Sequence, residues 1–271
     1  MDRNATALRL CFVLTAALTL LGATVRTICM LVAFDASVGY FNRGPLATLS
    51  IILYVVGVLV PIVCMALVPR GTLPTTLHTP KRLSMAFLWA LALIVMAVFG
   101  TIHLIDTANL TVKVSTLPVW LALPAALYFV LSANRQDSRY PDWLSLVGFL
   151  PVLWCIAAVA DTYTDQFTAM NSPIKVGLQV GFVGLMLILT SELRFRLGKP
   201  LPRAAMAMQG IGAFLALSGA LPVLIGTGAH ILKNTMHVLY AAVLMCGSLY
   251  GLFMMFRFTC SNPTPEPTTA E

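Results

Sequence analysis

Eight apolar runs, at residues 8–34, 46–67, 83–105, 118–133, 144–160, 173–193, 204–226 and 235–256, occupy most of the 271-residue chain. The hydrocarbon core of a bilayer is about 30 Å thick, and a helix needs roughly 20 residues to cross it. Backbone inside lipid must satisfy its own hydrogen bonds, which a helix does within one segment. A chain cut into such runs therefore reads as all-α: a polytopic integral membrane bundle of eight transmembrane helices. The fourth and fifth runs are the shortest. Composition argues the same way, since 59% of residues are hydrophobic and 10% charged, against about 25% charged in a soluble domain.

The basic residues assign the orientation. With the N-terminus in the cytoplasm, Arg3, Arg9, Arg70, Lys81, Arg82, Arg135, Arg139, Arg194, Arg196, Lys199, Arg203 and Arg257 lie inside. Arg43, Lys113, Lys175 and Lys233 lie outside. An excess of Lys and Arg marks cytoplasmic loops, so twelve against four predicts N-in, C-in. The net charge of +7 is thus topological. No basic run is interleaved with aromatics, so no nucleic-acid partner is expected, and the partner is the lipid bilayer. Trp120 and Trp143 stand at predicted span starts, where amphipathic rings favour the interface. The Pro- and Thr-rich segment 259–271 lacks an apolar period and is expected to be a disordered cytoplasmic tail.

Three stretches match in order at nearly constant spacing. CMLVAFDASVGYF (29–41) lies over CIAAVADTYTDQF (155–167), RLSMAF (82–87) over RAAMAM (203–208), and LYFVLSANR (127–135) over LYGLFMMFR (249–257). They predict a 4+4 parallel internal repeat, residues 1–136 and 137–258. An even number of spans per half gives a pseudo-twofold axis along the membrane normal. Span 1 is then the counterpart of span 5 and part of the fold, rather than a cleaved signal.

Arg26 has no charged residue within eight positions on either side. It lies about 12 Å inside the outer end of span 1, at 1.5 Å per residue. An unpaired cation at the bilayer centre costs about 2.5–3.5 kcal/mol on insertion scales, so Arg26 should face the bundle and find a partner. The outer acids Asp35, Asp106 and Asp161 are the candidates, with Asp35 and Asp161 occupying matching repeat positions. The repeat position of Arg26 itself is Val152. His103, His237 and His230 belong to the same outer half, with Asp165. Together Arg26, Asp35, His103, Asp106, Asp161 and His237 form the candidate solute- or ion-binding set. Glu192 and Arg196, four apart, suit an anchor at the inner end of span 6.

Gly177, Gly181 and Gly184 on span 6, and Gly247 and Gly251 on span 8, lie on helix faces that allow close backbone approach. They are expected to pack helices, within the chain, against a second copy or against a partner membrane protein. Pro61, Pro124, Pro151 and Pro222 fall inside spans and remove backbone donors. The six cysteines show neither disulfide nor zinc spacing, and no Walker loop, HExxH, GxSxG or dinucleotide fingerprint is present. No cofactor, metal ligand set or catalytic residue is therefore predicted. The best reading is a small-solute or ion transporter or binding protein. The alternative is a non-catalytic sensor or accessory subunit acting through helix contacts.

MNSPIKVGLQ (170–179), TSELRFRLGKPLPR (190–203) and RTICMLVAFDASVGYF (26–41) resemble segments of a group of uncharacterised bacterial multi-pass membrane proteins. The resemblance implies the bacterial plasma membrane as location and brings no activity or site residue with it.

Overall fold

The computed structural model describes residues 3–35, 37–68, 73, 85–107, 113–133, 141–166, 168–169, 171–232 and 234–260. Residues 261–271 of the expected tail, and Arg70, Lys81, Arg82, Arg135, Arg139 and Lys233, lie outside the described residues. The elements are α1 (Arg3–Val32), β1 (Phe34–Asp35), β2 (Tyr40–Phe41), α2 (Pro45–Leu67), α3 (Met85–Asp106), α4 (Leu117–Ala133), α5 (Asp142–Val147), α6 (Leu150–Thr164), α7 (Pro173–Arg196), α8 (Pro202–Gly228) and α9 (Thr235–Cys260). Among the described residues, seven helical segments are long and apolar enough to span a membrane, with α5 and α6 counting as one. The protein is a multi-pass, all-α membrane protein. The eighth expected span, α4, has 17 residues and is about 25 Å long.

Three local features depart from the sequence reading. Span 1 stops at Val32, and an antiparallel hairpin follows, pairing Phe34 with Phe41 and Asp35 with Tyr40. Gly39 takes φ 79° in its turn, a conformation that favours glycine. Span 5 is broken at Gly148–Phe149, and Pro151 opens α6 rather than interrupting a helix. There its missing N–H costs nothing. Pro61, Pro124 and Pro222 do lie inside helices.

The helices alternate in direction. The Phe12 and Phe256 rings meet at 5.6 Å and those of Phe195 and Phe258 at 5.1 Å. The start of α1 and the ends of α7 and α9 therefore share one end of the bundle, the terminal end. The other end gathers the ends of α1, α3, α6 and α8 with the starts of α4, α7 and α9 around two cavities, and is called the cavity end.

Helix α8 is the central member, with 72% of its apolar window buried against 22% for α2. It packs on α1, α2, α7 and α9. Five helices close a ring in the order α7, α6, α4, α3, α9 and back to α7. Aromatic side chains fill that ring. Trp89 packs on Phe129 at 4.5 Å and on Tyr250 at 5.4 Å, while Phe182 packs on Tyr240 at 5.3 Å and on Trp154 at 5.6 Å. Apolar side chains such as Leu10, Leu20, Ile51, Leu91 and Leu123 point outward and are exposed. That is the arrangement lipid requires and water penalises.

The expected glycine faces are used inside the chain. Along α7 and α8 the small residues run in antiparallel register, Gly177 to Gly219, Gly181 to Ala216 and Gly184 to Gly212. Gly247 and Gly251 of α9 face Leu185 and Ile188 of α7. Some neighbour relations recur between the two halves, α1 on α2 as α6 on α7 and α3 on α4 as α8 on α9, whereas the close α7–α8 pairing has no counterpart between α2 and α3.

Glu192 and Arg196 are 3.6 Å apart and both almost fully buried. Tyr250 donates to Glu192 at 2.5 Å. The expected interfacial anchor is thus an interior ion pair roofed by an aromatic hydroxyl. Helix α7 then ends at Gly198, φ 71°, with Lys199 N donating to Arg194 O at 3.0 Å, a Schellman-type closure.

Candidate functional site

The cavity end opens because α4 starts low. The Trp154 indole donates to Pro118 O at 3.0 Å, so the first turn of α4 lies beside the first turns of α6. Helix α6 continues ten residues further, about 15 Å. Above α4 the ring lacks one wall, and an open cavity of about 610 Å³ occupies the gap. Its lining comes from the end of α3 (His103, Leu104, Thr107), the turn before α4 (Lys113, Ser115), the end of α6 (Asp161, Thr162, Thr164, Asp165, Gln166) and the start of α9 (Asn234, Met236, His237). This is the size of a small-molecule site.

Two helix faces supply its polar floor. Asp161 and Asp165 are four apart on α6, and His237 and Tyr240 three apart on α9, so each pair shares one face. Tyr240 donates to Asp161 Oδ2 at 2.5 Å. Asp165 knits the surrounding elements: Thr168 donates to its Oδ2 at 2.6 Å, His237 Nε2 lies 3.3 Å from that oxygen, and Lys175 Nζ donates to its main-chain oxygen at 2.7 Å. Asn234 caps α9 by accepting from the N–H of Met236 and of His237.

The charges are placed against their own helix dipoles. The acids stand at the C-terminal end of α6, and Lys175 in the first turn of α7, where a charge of that sign is disfavoured. The cross-helix contacts at Asp165 offset this. Asp161 is different. Among the described residues, no cationic group lies within 4.0 Å of its carboxylate, and the Tyr240 hydroxyl is its hydrogen-bond partner. The other oxygen, Oδ1, is left for whatever enters the cavity that Asp161 lines.

A second cavity, about 430 Å³, adjoins the first and shares Asn234 and His237 with it. Phe34, Val38, Ile174, Ile231 and Leu232 line one part of it and Ser37, Thr168, Asn234 and His237 the rest, with the hairpin as one wall.

Of the six predicted site residues, the structure brings three together: His103, Asp161 and His237. Asp35 lies in the hairpin and accepts from the Ser37 N–H at 2.9 Å and hydroxyl at 2.6 Å. Those bonds hold its carboxyl below the usual 3.8. Asp106 is exposed and does not line the cavity. Arg26 is also elsewhere, and the expected acidic partner is absent. Its guanidinium donates to Pro173 O at 2.5 Å and lies over the Tyr54 ring, 4.8 Å from the centroid. Gly177 makes the room, because a β-carbon there would sit 2.7 Å from Arg26 Nη2. Ser218 donates to the Tyr54 hydroxyl at 2.9 Å, tying this arrangement to α8.

Sequence reasoning missed Tyr240 and Asn234. The signal was the spacing of Asn234, His237 and Tyr240, which runs three by three along one helix face. Among the described residues, no group of three or more His, Cys, Asp or Glu is placed to hold a metal ion. The chain matches no family model, and neither a curated protein nor a solved structure is similar to it.

Proposed function

We propose that this membrane protein binds a small solute in the cavity between α3, α4, α6 and α9, and that binding there is the first step of carrying or sensing that solute. The carrying observation is Asp161: a carboxylate held by one tyrosine hydroxyl, without an ion-pair partner among the described residues, on the wall of an open cavity. Leaving such a group in place is costly unless a ligand or a proton completes it. The site moves from the surroundings of Arg26 to those of Asp161. The basic-residue distribution supports a setting in which both chain ends are cytoplasmic and the cavity faces the other side. The resemblance supports a bacterial plasma membrane.

The alternative, docking of partner helices on the glycine faces, loses its surface. Gly181, Gly184, Gly247 and Gly251 are covered by the chain's own α7, α8 and α9.

The test is thermal unfolding of the detergent-solubilised chain against a panel of amino acids, amines, organic acids, sugars and inorganic ions. A ligand specific to the folded state adds about 2.7 kcal/mol at 100 times its Kd. The expected result is a midpoint rise with at least one solute, lost in Asp161→Asn and kept in Arg26→Gln. A rise that survives Asp161→Asn and disappears in Arg26→Gln would return the site to Arg26.

A further inference from the structure

Among the described residues, carboxylates line the larger cavity and none lines the smaller, and their junction restricts what can occupy both. The larger has Asp161 on its wall; the smaller has the apolar side chains of Phe34, Val38, Ile174, Ile231 and Leu232 beside Ser37 and Thr168. They meet at His237 and Asn234, which line both. From these observations we infer that the site takes an organic ammonium ion with an apolar tail: the cationic head beside Asp161, the tail reaching past His237 into the chamber under the hairpin. The inference rests on the solute-binding reading above and specifies its ligand.

The chemistry decides against the other cations. A bare divalent metal would need several oxygen or nitrogen ligands converging at about 2–2.6 Å, and the described residues offer no such group. The cavity, about 610 Å³, is also far larger than one ion and matches a small organic molecule. An ammonium head donates hydrogen bonds and carries charge, so it can use the free oxygen of Asp161 while Tyr240 holds the other. The carboxylate of the second acid, Asp165, is engaged by Thr168 and His237, so Asp161 is the one that receives the head. An anion would meet Asp161 with like charge. A neutral apolar molecule would fill the smaller chamber and leave Asp161 unsatisfied.

The experiment uses the full chain in mild detergent with a matched set of probes: methylammonium, butylammonium, hexylammonium, hexanol and hexanoate. Apparent affinity is read from the dependence of the unfolding midpoint on probe concentration. The expected result is that the ammonium series binds, with affinity rising up to about fourfold for each methylene that becomes buried. Hexanol and hexanoate should be at least tenfold weaker than hexylammonium. Asp161→Asn should weaken hexylammonium at least tenfold. Ala169→Phe fills the smaller chamber; it should abolish the gain from tail length and leave methylammonium unchanged. Ile231→Ser, a milder change in the same wall, gives the same readout if Ala169→Phe does not fold.

Three results would overturn the inference. If hexanol, hexanoate or a sugar binds better than the amines, and Asp161→Asn changes that binding, the solute site stands but its ligand is not an ammonium ion. If hexylammonium acts equally on wild type and Asp161→Asn, its effect belongs to the micelle. If none of the probes and none of the wider solute panel shifts the midpoint, both this inference and the solute-binding reading fall.

Discussion

Arg26 shows how a single side chain meets the cost of burial without an acid. Its guanidinium has a carbonyl acceptor at Pro173 and the face of Tyr54 beneath it. A cation over an aromatic face contributes about 0.5–2 kcal/mol, more where water is excluded. The neighbouring glycine is part of the same device. The three atoms nearest to a β-carbon at Gly177 belong to Arg26. Gly177→Ala should therefore lower the unfolding midpoint in the wild type and be nearly harmless in an Arg26→Ala background. Such a double-mutant cycle should give a coupling of about 0.5–3 kcal/mol, the range for residues in contact. Additive effects would show that the glycine serves α7–α8 packing instead. The sequence revealed that Arg26 needed a partner, because an isolated cation in an apolar run is costly. It could not reveal which partner, because a backbone carbonyl and a tyrosine face leave no charge signal. Asp35, one of the three outer acids considered, is held by Ser37 in the hairpin.

At the scale of elements, the α7–α8 pair controls the bundle. Its glycines let the two backbones approach, and the cost of adding a methyl depends on what it meets. On Gly212 the methyl would overlap the Gly184 carbonyl oxygen, and on Gly184 it would lie 2.8 Å from the Gly212 oxygen. Backbone cannot step aside, so Gly212→Ala should force the helices apart and cost about 1–3 kcal/mol or more. On Gly181 the nearest atom is the end of the Leu244 side chain, 2.9 Å away, which can turn. Gly181→Ala should then cost clearly less, measured by unfolding in mixed micelles. Equal losses would contradict the close crossing of α7 and α8. The glycine spacing was legible in the sequence, and so was its role in close approach. The mates on α8 were not: Gly212, Ala216 and Gly219 mix spacings of four and three, and became partners through antiparallel register. Gly22 and Gly57 were equally silent, yet both lie against the ring of Phe214 on α8.

For the whole molecule, alternation of direction makes a simple prediction. Cys260, exposed at the end of α9, and a cysteine placed at Lys113 or Ser37 should be labelled from opposite sides of the membrane. With the orientation proposed from the basic residues, an impermeant thiol reagent should reach Ser37→Cys and Lys113→Cys in intact cells, and Cys260 only after permeabilisation. Labelling of all three from one side would show that α9, which connects the cavity end to the terminal end, does not cross. The same alternation explains the site. Four helices end at the cavity end, where Asp161 and Asp165 at the end of α6 meet the N-terminal turns of α7 and α9.

The sequence by itself determined the solvent, the all-α class and the approximate course of the spans. Those depend on composition and run length, which are local and summed along the chain. It also placed His103, Asp161 and His237 in the same layer, since depth follows from counting residues along a helix. Only the tertiary structure decided which of them meet. That depended on the order of helices around the ring and on α4 starting about 15 Å below the end of α6, measured along α6. The missing wall became the cavity, Asp161 became its open acid, and Arg26 was turned toward Tyr54. Depth is written in one dimension and survives in the sequence. Azimuth around a helix axis, and the neighbour it selects, is set by packing against every other helix at once.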